Sequence, residues 1–199
     1  MAGPLIPLWL KVFHTLFVSI LLPIYCVHYG PANFLWFSDI ALITLIPALW
    51  LEDSLLVSMM ALAVTLPEIA WTIDFLGHLL TGHPVLGLSR YMFDASRPLY
   101  LRLLSLFHIP LPIVLLYLLS RLGYDSRALF LQTLLAWVIL PLTYVLTTPS
   151  QNINWVHGPS TPPQRLLPPL VYLGVLMLFF PLCLYLPAHF AFIKLFRVH

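Results

Sequence analysis

Residues Asn33 to Ile43 read NFLWFSDIALI, an apolar run that carries the ionisable Asp39 about two turns in. Such a run suits the interior of a lipid bilayer, and the flanking sequence continues in the same way. Of 199 residues, 61% are hydrophobic and only 8% charged, far from the roughly one-quarter charged residues of a soluble domain. The composition predicts an all-α, polytopic membrane protein forming one integral membrane domain over residues 1–199. About six spans of ~20 residues, each crossing ~30 Å of hydrocarbon, use up nearly the whole chain.

Windowed hydropathy places those spans near Trp9–Val27, Asn33–Leu51, Ser54–Leu80, Leu99–Leu119, Arg127–Thr147 and Leu167–Ile193. Three connections are short, and two are longer, Thr81–Pro98 and Thr148–Leu166. The N-terminal run reads as a retained first span, because Pro23 and Tyr25 occupy the place of a signal-peptide cleavage site. Prolines inside spans, among them Pro67, Pro110, Pro112 and Pro181, each remove a backbone donor and predict kinks. Cys26 and Cys183 lie in apolar stretches without CxxC spacing, which predicts buried free thiols.

A formal charge of +2 with dispersed basic residues excludes nucleic-acid binding. Six spans place both termini on one side, with Lys11, Arg121, Arg127, Lys194 and Arg197 there against Arg90, Arg97, Arg102 and Arg165 opposite. This bias favours cytoplasmic termini and both long loops outside.

Alternate spans reverse direction, so Asp39, Glu68, Asp74, Arg102 and His108 all fall in the leaflet of the long loops. A charge at the bilayer centre costs at least ~2.5 kcal/mol, so such groups face a bundle interior and pair with one another. A connected polar cluster is expected. The loop NINWVHGP supplies Asn152, Asn154 and His157 between Pro149 and Pro159 and could fold over it as a lid. The histidines of HLLTGH match no strong metal signature, so neither a metal nor a cofactor is expected. The RYMFDASR segment, with Arg90, Tyr91, Asp94 and Arg97, reads as interfacial anchors and ion pairs.

Through YGPANFLWFSDIAL, YMFD, LSLFH and NINWVHGP the chain resembles a set of uncharacterised bacterial six-span membrane-associated proteins, which implies a bacterial inner membrane and no particular activity. More distantly, FLWFSD (Phe34–Asp39) and HIPLP (His108–Pro112) are similar to motifs of the androgen-induced gene family, intramembrane threonine hydrolases that cleave esters of hydroxy fatty acids. That resemblance implies a catalytic role for His108. Trp36 stands where the family has its threonine nucleophile, and Ser38 is the nearest hydroxyl. Were both residues helical, Ser38 would point ~200° away from Trp36.

Two classes of function follow. The first is an intramembrane enzyme handling lipid or acyl esters, with Ser38 as nucleophile, His108 as general base and Asp39 or Asp74 orienting it. The second is a non-enzymatic module that binds a membrane lipid headgroup or a partner protein through Glu68, Arg102, Asn152, Asn154 and His157. Proton or solute transport through Glu68 and Asp74 is a third reading.

Overall fold

The apolar runs become helices wherever Pro, Gly and capping residues bound them, and the computed structural model describes residues 5–160 and 163–199. All regular structure among these is helical, apart from an isolated bridge between Tyr124 and Val198. Five helices are long and apolar enough to cross a membrane: α1 (Leu8–Tyr29), α3 (Ser54–Thr81), α4 (Leu99–Leu122), α5 (Ala128–Leu146) and α6 (Pro169–Leu195). A shorter apolar helix, α2 (Phe37–Leu51), follows a 3-10 turn over Pro31–Leu35. The chain is thus an all-helical membrane-type protein.

Helix α3 is the hub, packing against α2, α4, α5 and α6. It is buried over 56% of its apolar window against 22% for α5 and α6. Small residues at its centre, Ala61 and Ala63 beside Ser58 and Thr65, let neighbours approach closely. Its ends are capped. The Asp53 carboxylate accepts the amide of Leu56 at 2.8 Å, and Gly82, at φ 75°, takes the left-handed turn that a side chain would disfavour.

Most of the predicted proline interruptions leave the helix running, since α1, α2, α3 and α5 continue through Pro23, Pro47, Pro67 and Pro141. Two helices are locally rewound instead. Helix α4 tightens into a 3-10 turn over Ser105–His108 just before Pro110, and α6 loosens into a π turn over Phe180–Tyr185 around Pro181. The first of these carries His108.

The outer surface is as apolar as the core. Val12, Ile20, Ile73, Ile113, Val138 and Val175 are all exposed, a pattern that marks a surface meant for lipid rather than water. Cys26 and Cys183 are free but exposed on this face, not buried as expected. Thiols are apolar enough for lipid contact, and periodicity alone could not tell the two faces of a uniformly apolar helix apart.

Both described chain ends meet at one end of the bundle. The Glu52 carboxylate, in the α2–α3 turn, accepts the amides of Leu5 and Ile6 and pairs with Lys11 at 2.8 Å. Arg121 donates to the Leu5 carbonyl, and two residues after α4 the Tyr124 amide donates to Arg197. The long loops lie at the other end, with the site.

Candidate functional site

At the long-loop end the bundle encloses a cavity of about 810 Å³. Its walls come from four places: the end of α1, the start of α2, the middle of α3 and the 3-10 turn of α4, with both long loops across the top.

His108 lies at the inner wall of this cavity. Its Nδ1 lies 2.6 Å from the Glu68 Oε2, and the imidazole is held in a stack, 4.6 Å from the Trp71 ring and 4.1 Å from that of Phe107. Glu68 is one turn before Trp71 on α3, so one helix face supplies both the carboxylate and the aromatic plate. The His108 side chain is 15% exposed and that of Glu68 only 4%. Among the described residues the Nε2 of His108 has no hydrogen-bond partner, and His108 lines the cavity. A carboxylate on Nδ1 fixes the ring and its tautomer, leaving Nε2 to accept or deliver a proton.

Ser38 and Asp39 enter from the first turn of α2. Trp36, at ψ 133°, is the non-helical residue before this helix, so the helical rotation expected between Trp36 and Ser38 does not apply. Trp36, Ser38 and Asp39 all line the same cavity. The Ser38 hydroxyl has no partner among the described residues, nor do the backbone amides of Ser38 and Asp39, because the first helical bond of α2 runs from Ile40 to Trp36. The start of α2 thus brings a hydroxyl and two free amides to the cavity wall. Asp39, 3% exposed, accepts the Asn33 side-chain amide at 2.7 Å on Oδ2 and has no partner for Oδ1.

The last long loop lies over this opening. Asn154 accepts the amide of Phe37 at 3.2 Å and donates to the Leu35 carbonyl at 2.7 Å, thereby capping α2 from 117 residues away. Asn152 holds the loop itself, donating to Gly158 and accepting from His157. Both asparagines line the cavity, yet their amide groups are committed to protein partners. Asn152 and Asn154 take left-handed backbone conformations, φ 41° and 51°, which asparagine tolerates better than most residues.

Three expected site residues lie elsewhere. Asp74, expected to orient the histidine, accepts the amides of Leu86, Gly87 and Ser89 and the Ser89 hydroxyl, all at 2.5–2.9 Å. It is fully buried as the anchor of the first long loop. Arg102 donates to the Met92 carbonyl and does not line the cavity. His157 faces a smaller cavity of about 220 Å³ beside Tyr144.

The cavity also recruits residues whose sequence signal pointed to anchoring. Arg97 pairs with Asp94 at 3.7 Å and lies over the rings of Tyr29 and Tyr91, 5.9 and 5.5 Å from their centres. Two hydrogen bonds from Ser96 hold the exposed Asp94 carboxyl below the usual carboxylate range. Arg90 and Tyr91 line the cavity too, and burial pushes the Tyr91 phenol far above its ordinary value. Nothing in RYMFDASR by itself separates such a rim from an ordinary interfacial segment. No group of three metal-binding side chains occurs among the described residues.

No family model matches this chain, and neither does any curated protein or solved structure.

Proposed function

We propose that this protein is an intramembrane hydrolase of lipid or acyl esters, in which Ser38 is the nucleophile, His108 the general base and Glu68 the residue that orients it. The observation that carries this reading is the 2.6 Å contact between His108 Nδ1 and Glu68, with Nε2 left free at the cavity wall. As the Ser38 oxygen attacks the ester carbonyl, its proton passes to Nε2 and the carbonyl oxygen gathers charge toward the free amides of α2. His108 then protonates the departing alcohol, and water resolves the acyl-enzyme by the same route. Glu68 steadies the imidazolium throughout. The role expected of Asp39 or Asp74 thus passes to Glu68.

The substrate reaches the cavity from the lipid of the long-loop leaflet. Six crossings with both termini on the cytoplasmic side complete the reading, α2 and its preceding 3-10 turn serving as the sixth. At ~1.5 Å per residue the 15 residues of α2 cover about 22 Å, and the turn adds about 10 Å. The sum approaches the ~30 Å of a hydrocarbon core.

The test is labelling of purified protein by a fluorophosphonate probe. Wild type is expected to label, Ser38→Ala to lose all labelling and His108→Ala to label about 10²–10⁴ times more slowly. Labelling that survives Ser38→Ala removes the assignment. A folded wild type that never labels favours a lipid-binding module instead.

A further inference from the structure

The inner wall of the cavity carries hydrogen-bond acceptors beside the free amides of Ser38 and Asp39 and the unpartnered indole N–H of Trp71. The Ser105 hydroxyl donates to the Leu101 carbonyl at 3.1 Å. The Tyr25 phenol lies 2.8 Å from the same hydroxyl, a contact in which either oxygen can donate. Tyr25 thus brings a phenol oxygen to the cavity wall. Asp39 adds a carboxylate that receives one hydrogen bond, from Asn33, and none on Oδ1. Glu68 is engaged by His108 through Oε2. Tyr25, Asp39 and Glu68 all line the same space, together with the aromatic rings of Tyr29 and Trp36.

A buried carboxylate with one neutral donor is incompletely compensated, and a proton removes its charge but leaves Oδ1 without a hydrogen-bond partner among the described residues. A ligand that brings both positive charge and hydrogen-bond donors satisfies Asp39, while aromatic faces within ~6 Å favour a cation further. We infer that the cavity binds an ammonium-bearing amphiphile whose amine pairs with Asp39. The two arginines of the rim do not oppose this, since Arg90 is exposed, the Arg97 charge is answered by Asp94 and two rings, and the Arg97 side chain is 42% exposed where Asp39 is buried. Oδ1 is closed to solvent, so the amine approaches from the Asn33 side or after a turn about Cβ–Cγ, a torsion with broad wells. The inference deepens the hydrolase reading by naming an amine-bearing ester as substrate, and it takes from that reading only the cavity as ligand site.

The experiment measures octylamine and octan-1-ol binding to the purified full chain in micelles, by quenching of tryptophan fluorescence. Octylamine is expected to bind wild type and Ser38→Ala alike, and to bind Asp39→Asn at least about tenfold more weakly. Octan-1-ol is expected to be insensitive to Asp39→Asn. Equal octylamine binding by wild type and Asp39→Asn overturns the inference, as does an equal loss for the alcohol, which would make Asp39 a hydroxyl acceptor. Should Asp39→Asn not fold, Asn33→Ala keeps the carboxylate and removes its one partner. It is expected to bind octylamine at least as tightly as wild type, and weaker binding overturns the inference. A chain that binds octylamine through Asp39 but never labels at Ser38 refutes the hydrolase alone.

Discussion

The contact between His108 and Glu68 joins residues 40 apart in sequence, and its consequence is an imidazole that cannot rotate away. A neutral amide at position 68 preserves shape and a hydrogen bond but removes the charge that steadies an imidazolium. Glu68→Gln is therefore expected to lower kcat with little change in KM, by an amount smaller than the loss in His108→Ala. Steady-state kinetics on an ester substrate in micelles would check this, and a rise in KM alone would reassign Glu68 to binding. Span order alone puts Glu68 and His108 in the same leaflet, and the resemblance around HIPLP singles out the histidine. The choice of Glu68 over Asp74 as its partner is not legible, because both carboxylates lie on one amphipathically featureless helix. What separates them is the path of residues 85–89, which folds back so that three amides and a hydroxyl converge on Asp74. Removing that carboxylate strands several buried donors, each costing about 1–3 kcal/mol. Asp74→Ala is accordingly expected to lower thermal stability more than any cavity-lining substitution, with Asp74→Asn only partly rescuing it, as differential scanning fluorimetry in micelles would show.

At the scale of elements, the start of α2 is the decisive piece. Its nucleophile candidate, its carboxylate and its free amides all depend on the helix beginning at Phe37 rather than at Asn33, where hydropathy begins the span. Apolar content cannot mark this boundary, since the residues on both sides of it are equally hydrophobic. A 3-10 turn opened by Pro31 and a remote cap from Asn154 set it instead. The expected lid is thus a strap, fixed at Asn154, by the edge contact of Trp36 with Trp155, and by the Tyr172 hydroxyl on the Trp155 carbonyl. Losing a side-chain cap costs about 0.5–2 kcal/mol. Asn154→Ala is expected to lower stability within that range and also to raise hydrogen exchange at the Phe37 amide and across residues 150–156. Unchanged exchange there would mean that the strap does not define the start of the helix.

For the molecule as a whole, the end opposite the cavity brings the two described chain ends together. The segment at Leu5 and the segment at Arg197 contact residues 121 and 124 of the same α4–α5 turn. That arrangement fits the proposed even number of crossings, with α2 the apolar helix available to join the five long ones. Reporter fusions at the two termini are expected to fall on one side of the membrane, with a reporter in the 148–160 loop on the other. Termini on opposite sides would exclude α2 as a span. That end also carries its own pH dependence. Hydrogen bonds from Lys11, followed by those from the Leu5 and Ile6 amides, hold the Glu52 carboxyl below its ordinary value. A group depressed on folding contributes stability that is fully present above its unfolded pKa and is lost as pH falls through the folded one. The N-terminal segment is therefore expected to stay docked at neutral pH and to loosen only below the ordinary carboxylate range of about 4. In Glu52→Gln the loosening is expected to lose its acid dependence, because the charge that holds Lys11 is absent at every pH. Limited proteolysis ahead of α1 across an acid series would read both, and wild-type cleavage that does not change with pH would leave the Lys11–Glu52 pair without a docking role.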